Sequence, residues 1–198
     1  MMNYGMTLPN IKLQLPGWLG SFIAEQKQHF ETVESRMQLA IELALLNVEH
    51  HTGGPFGAAI FNMDTHELVS VGVNLVVPSN TSIAHAEIIA LTTAQQQLGN
   101  YDLGAVCLPP LELVTSSEPC AMCFGAIPWS GVRHLVCGAR DEDARSIGFD
   151  EGPKHPQWVE ELMKRGITVE IDVCREKAAA VLTHYAETEG AIYNARQG

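Results

Sequence analysis

Leu111-Glu112-Leu113-Val114-Thr115, then Pro119-Cys120-Ala121-Met122-Cys123, then Val132-Arg133-His134-Leu135-Val136-Cys137 follow one another within about 27 residues. The first and last are short apolar runs with β-branched residues, the signature of buried strands. Pro119 suits the first turn of a helix, and the spacing predicts a short helix over Cys120–Ile127 that Pro128 helps to end. Strand, helix and strand at this separation predict a right-handed parallel crossover.

Outward from this unit, other elements are readable. Ser35-x-x-Gln38 matches a capping box. Met37, Ile41, Ala44, Leu45 and Val48 then recur at helical spacing until Gly53-Gly54. Strands are predicted near Phe56–Phe61 and Leu68–Val77, joined as a hairpin through the turn-prone Asn62-Met63-Asp64-Thr65. Ser82 is placed to cap a helix over Ile83–Leu98. Residues 140–156 read as an acidic, Gly-containing loop. A helix over Gln157–Arg165, a strand over Ile167–Asp172 and a helix over Arg175–Glu187 complete the pattern. Residues 1–34 read as an irregular arm with one helical turn near Phe22–Phe30, 35–190 as one α/β domain and 191–198 as a tail.

The 198 residues carry 12 Lys and Arg against 23 Asp and Glu, a net charge of −11. Nucleic-acid phosphates are repelled by such a chain, and no basic run offsets this. No stretch approaches the roughly 18 apolar residues of a membrane helix. No basic residue precedes Lys12, and Pro9 and Pro16 interrupt the apolar residues, so a secretory signal is not expected. With five cysteines, an odd number, and one Cys-x-x-Cys pair, a metal or redox site in the cytoplasm is expected sooner than a disulfide framework.

His85-Ala86-Glu87 and Pro119-Cys120-Ala121-Met122-Cys123 both fall in predicted first helical turns, where unpaired N–H groups and the macrodipole favour anions. Thiolate pKa values fall there, and thiolates bind zinc. His85, Cys120 and Cys123 would fill three tetrahedral positions and leave the fourth for water, whose pKa zinc can bring to about 7. Glu87, two residues from His85, is poorly placed as a ligand in the same arc and better placed to shuttle the water proton. His-x-Glu followed by Pro-Cys-x-x-Cys is the zinc-deaminase signature. A structural zinc site would need a fourth protein ligand, and Cys107, Cys137 and Cys174 stand at no paired spacing that supplies one.

Across residues 35–190 the chain resembles the cytidine-deaminase-fold superfamily, and within it the bacterial guanine deaminases. The resemblance is carried by Gly53-Gly54-Pro55-Phe56-Gly57-Ala58, Asn74, the two zinc motifs extended from Glu118 to Ala126, Trp129, and Ile147-Gly148-Phe149-Asp150-Glu151. The last segment is what points to the guanine branch. Two departures stand out: the N-terminal arm is long, and Gly152-Pro153 extends the acidic segment.

The resemblance implies a three-layer α/β/α fold with a mixed five-stranded sheet, a homodimer, and hydrolysis of guanine to xanthine and ammonia. Zinc-bound hydroxide would attack C2, and Glu87 would carry the water proton to N3 and help protonate the leaving amine. It further implies base contacts by Asn74, Ala86, Phe56, Asp150, Trp129 and Tyr193, with Glu151 as a second proton carrier and Asp150 as substrate binder or loop orienter. All but Ala86 have a plainer alternative. Asn74 could only order a turn, Phe56 could be core, and Trp129 could fill the dimer interface. Tyr193 could cover its own site or a partner's, or belong to a frayed tail. Asp150-Glu151 could be one more solvated loop beside Asp141, Glu142 and Asp143. Rival substrates are another base, a triazine such as ammeline, a nucleoside or, against the charge, a tRNA adenosine. A non-catalytic zinc-stabilised binding module is the rival from another class.

Overall fold

The protein is represented by a computed structural model that describes residues 11–27 and 29–195. The first ten residues of the arm, Gln28 within its expected helical turn, and the last three residues of the tail lie outside them. The elements run in the order α1 (Gly17–Glu25), α2 (Val33–Glu49), β1 (Gly57–Asn62), β2 (Leu68–Val73), α3 (Val76–Ser79), α4 (Ala86–Leu98) and β3 (Leu111–Ser117). They continue through α5 (Ala121–Ser130), β4 (His134–Ala139), α6 (Asp141–Ser146), α7 (Trp158–Met163), β5 (Thr168–Glu170) and α8 (Arg175–Glu187).

The five strands form one sheet in the order β2-β1-β3-β4-β5. β1 pairs antiparallel with both β2 and β3, whereas β3–β4 and β4–β5 are parallel. Every residue of the central strand β3 is buried, as expected of a strand covered on both faces. Successive side chains of β1 divide between two cores. Ala59 and Phe61 join the cluster built on α2 and α8, while Ala58 and Ile60 join the one built on α4, α5 and α7. The mixed sheet between two helical layers is the expected fold class.

Direction reversal in the sheet brings the start of β1 and the ends of β2 and β3 to one rim. The α4 and α5 N-termini lie on that rim. Gly72 makes the approach of α4 possible: a Cβ there would stand 2.2 Å from the Ala86 carbonyl and 2.4 Å from the Ala90 nitrogen.

Element ends differ from the sequence expectation for identifiable reasons. α2 starts at Val33, two residues before the expected Ser35, because Thr32 is the cap. Its hydroxyl accepts the Ser35 N–H at 3.1 Å, and Ser35 returns a bond as the third helical residue. β2 stops at Val73, and α3 occupies residues expected to extend it. α4 begins at Ala86 instead of Ile83, since residues 81–84 form a turn whose Ala84 carbonyl accepts from Leu75 at 2.8 Å. α5 runs past Pro128 to Ser130 and ends at Gly131, whose φ is +87°.

The expected loop 140–156 contains α6, whose first turn is held by the Asp143 carboxylate accepting the Arg140 N–H at 2.8 Å. In the arm, the helix spans Gly17–Glu25 instead of Phe22–Phe30. Leu19 is buried, and the Trp18 indole stacks on His50 with centroids 5.2 Å apart.

Candidate functional site

His85 and Cys120 are the N-cap residues of α4 and α5, both in extended backbone, and neither side chain caps its own helix. Each is therefore free to face the other. Cys120 Sγ stands 3.5 Å from His85 Nδ1. Cys123 follows one turn along α5 and is fully buried. The three ligand atoms lie within 4.8 Å of one another. Tetrahedral ligands held at the usual zinc distances stand roughly 3.3–3.8 Å apart, so only a small closure is needed. One imidazole and two sulfurs at two positive helix ends are a donor set that fits zinc.

The charges here are tightly coupled. A hydrogen bond from the Cys123 thiol, aided by His85, brings the Cys120 thiol down to about 4. The same bond and burial push Cys123 well up. Burial works to lower the His85 imidazole, but its Cys120 hydrogen bond and the charge of Glu87 outweigh this and raise it.

Burial, with the Cys120 thiolate nearby, pushes Glu87 up to about 7. Glu151 is pushed to about 8 by burial, then by Cys120 and Glu87. Two protonatable carboxyls beside a metal-binding triad are a proton-transfer arrangement, and a cation on the triad favours their ionised forms.

A cavity of about 300 Å³ opens on these groups, lined by Phe56, Asn74, His85, Glu87, Glu151 and Tyr193 among others. Its size suits a small heterocycle. Asn74, at the end of β2, is fully buried. Its Oδ1 accepts the Val76 N–H at 3.2 Å, while Nδ2 has no partner. Phe56 meets Phe149 edge-on at 5.1 Å, and Tyr193 packs on Phe149 at 5.0 Å. The Tyr193 hydroxyl is buried without a partner, in the cavity of its own chain.

Asp150 lines the same cavity, but its carboxylate accepts the Gly152 N–H at 2.9 Å and its own N–H donates to Asn194 Oδ1 at 2.8 Å. It therefore orders the loop that carries Glu151. Ala86, between His85 and Glu87, has its side chain in the apolar core. Trp129 is not brought to the cavity. It is 87% exposed near the end of α5, in a depression shared with Phe124, Pro128 and Arg165.

Three features escaped the sequence reading. Asn47 is fully buried near the end of α2 and donates to the carbonyls of Gly54 and Asn74, both at 2.9 Å; an amide on an apolar helix face was its signal. Asn194 also donates to the Gly148 carbonyl at 2.8 Å, latching the tail onto the loop. Glu118 lines the cavity and pairs with the nearly buried Lys154 at 2.9 Å. No sequence pattern foretold these last two contacts.

The family model described as the cytidine and deoxycytidylate deaminase zinc-binding region matches residues 30–139. The chain belongs to this deaminase family. Guanine deaminase of Bacillus subtilis (strain 168) is 39% identical over 118 residues, 60% of this chain and 71% of that protein. The structure of guanine deaminase from Nitrosomonas europaea is 45% identical, covers 92% of this chain and 100% of its own, and superposes with a TM-score of 0.86. A structure of NE0047 in complex with 2,6-diaminopurine is 48% identical over 93% of this chain and 97% of that one, also at 0.86. Zinc is thus the cofactor of this deaminase and hydrolytic removal of an amino group its chemistry.

Proposed function

We propose that this deaminase hydrolyses guanine to xanthine and ammonia. The observation that carries the reading is the cavity itself, in which two buried carboxyls and an unpaired amide donor face the triad. Its similarity to guanine deaminases supports the choice of base. His85, Cys120 and Cys123 would hold zinc, which supplies a Lewis acid that makes water nucleophilic near neutral pH.

Glu87 takes a proton from the attacking water and delivers it to ring N3 as the water oxygen joins C2. Glu151 holds a proton at its carboxyl for the departing amine and, ionised, accepts from N1–H or the amino group of guanine, which are donors. Asn74 Nδ2 donates to an acceptor of the base. Phe56 and Tyr193 sandwich the ring and exclude water, and Ala86 sets the spacing between His85 and Glu87. Asp150 orients the loop. Water and guanine are consumed, and xanthine and ammonia leave, so the reaction sits in purine breakdown.

The chain acts on a free base and works as a homodimer. The exposed Trp129 with Phe124 and Pro128 offers an apolar face for the second copy. Among the described residues no helix is long and apolar enough to cross a membrane. All five cysteines are free, which supports a reducing compartment, the cytoplasm. The test is ammonia release from guanine, adenine, cytosine, their nucleosides, ammeline and tRNA. Guanine is expected to lead; equal or greater release from cytidine overturns the reading.

A further inference from the structure

Asn47 closes a chain of hydrogen bonds from the N-terminal helix to the base-binding cavity. Its Nδ2 donates both hydrogens, one to the Gly54 carbonyl and one to the Asn74 carbonyl, each at 2.9 Å. Its Oδ1 accepts from the Thr52 hydroxyl at 2.8 Å, and that hydroxyl in turn accepts the Trp18 indole N–H at 3.0 Å. The amide orientation is fixed, because the reverse would set Oδ1 against two carbonyl oxygens.

The two carbonyls belong to the segments that enter β1 and leave β2. The hairpin's own pairing ends there with the Asn74 N–H donating to Phe56 at 3.1 Å. Asn47 thus clamps the open end of the hairpin, one residue before Pro55-Phe56 and at Asn74 itself. Gly53 leaves room for the clamp, since a Cβ there would lie 1.9 Å from the Asn74 carbonyl oxygen and 2.7 Å from Asn47 Nδ2.

We infer that Asn47 is a positioning residue that sets where Asn74 and Phe56 meet the base, and that Trp18 and Thr52 extend this control to α1. The inference rests on the reading of Asn74 as a base-binding group. α1 is on this view part of the substrate site's scaffold, although it lines none of the cavity. Trp18 fixes the Thr52 hydroxyl by occupying its acceptor site, so that its proton goes to Asn47. Loss of the indole N–H leaves the hydroxyl free to turn toward the Asn47 carbonyl, 3.3 Å away.

The test is steady-state guanine turnover by Asn47→Asp, Thr52→Val, Thr52→Ser and Trp18→Phe, with zinc content and melting temperature measured for each. Asn47→Asp keeps size and acceptor but loses both donors. Its KM is expected to rise about tenfold, the effect of one buried hydrogen bond, with kcat within about threefold and zinc intact. Thr52→Val and Trp18→Phe move KM the same way by less, and Thr52→Ser restores it. In an Asn74→Ala background Asn47→Asp is expected to raise KM by clearly less than tenfold, because the part of its effect that runs through Asn74 is already gone and only the part through Phe56 remains.

A wild-type KM for Asn47→Asp with only a lower melting temperature overturns the inference. So does equal KM for Thr52→Val and Thr52→Ser, which decides the matter if Asn47→Asp does not fold. A wild-type enzyme that turns guanine over beside an Asn47→Asp with unchanged KM removes this inference alone. A wild type without guanine turnover removes the functional reading and this inference with it.

Discussion

The carbonyl of Glu151 accepts a hydrogen bond from the N–H of Ala121 at 2.9 Å. One of the orphan donors at the start of α5 is thereby used to dock the acidic loop beside Cys120, the cap of the same helix. Because the backbone makes this tie, the Glu151 carboxyl can be altered without undoing it.

Glu151→Gln is therefore expected to fold and bind zinc normally while guanine turnover falls by about 10²-fold, the lower end of what a lost proton carrier costs. Asp150→Asn, which weakens the hydrogen bond from Gly152 and the 3.8 Å ion pair with Arg145, is expected to fall by less. Wild-type rates for both variants, with zinc present, would reduce the segment to a solvated loop.

Replacing Glu87 by Gln should leave zinc bound and lower kcat by about 10³-fold or more, since it carries the first proton transfer. Zinc analysis beside single-turnover assays separates this from loss of the metal.

Cys120→Ser should lose both zinc and activity. Full metal occupancy in that variant would show that the ligand set is assigned wrongly.

Tyr193→Phe separates stability from binding. Removing a buried hydroxyl that has no partner is expected to keep or raise the melting temperature. If that hydroxyl binds the base, KM for guanine rises severalfold in the same variant. A falling melting temperature with unchanged KM would contradict both halves.

Acid sensitivity follows from the arginine pairs around α6. Arg175's hydrogen bonds hold the Asp143 carboxyl below its ordinary value, and Arg140 does the same for Asp172. A carboxyl depressed in the folded state stabilises above its unfolded pKa of about 3.9, and the benefit is lost as pH falls through the folded value. Asp143→Asn should melt below wild type at pH 7, and the gap should narrow toward pH 3. Both pairs are only partly buried and still reached by solvent, so salt should shrink the gap too.

Much of this architecture was legible because local patterns and tertiary needs agree. The alternating residues of β1 and the apolar run of β3 suit a sheet covered on both faces. His85 and Cys120 stand where helices begin because their neighbours say so. What was not legible depends on contacts between distant segments. Ile83 and Ala84 look helical by composition, yet Ala84 is used to bond Leu75, and α4 starts later. Asn47 looks like a flaw in an apolar stripe until Gly54 and Asn74 are brought to it. Trp129 sits near the signature in sequence, but its exit from α5 points away from the cavity.

Asn194 grips both sides of the acidic loop, through Gly148 and Asp150. Material trimmed by a carboxypeptidase back past that residue would keep its metal ligands and both apolar cores, and would pass a metal assay and a melting curve unremarked. Its loop, however, would have lost its latch. Intact mass, more than purity or fold, is thus the measure of whether a preparation is fit for kinetics.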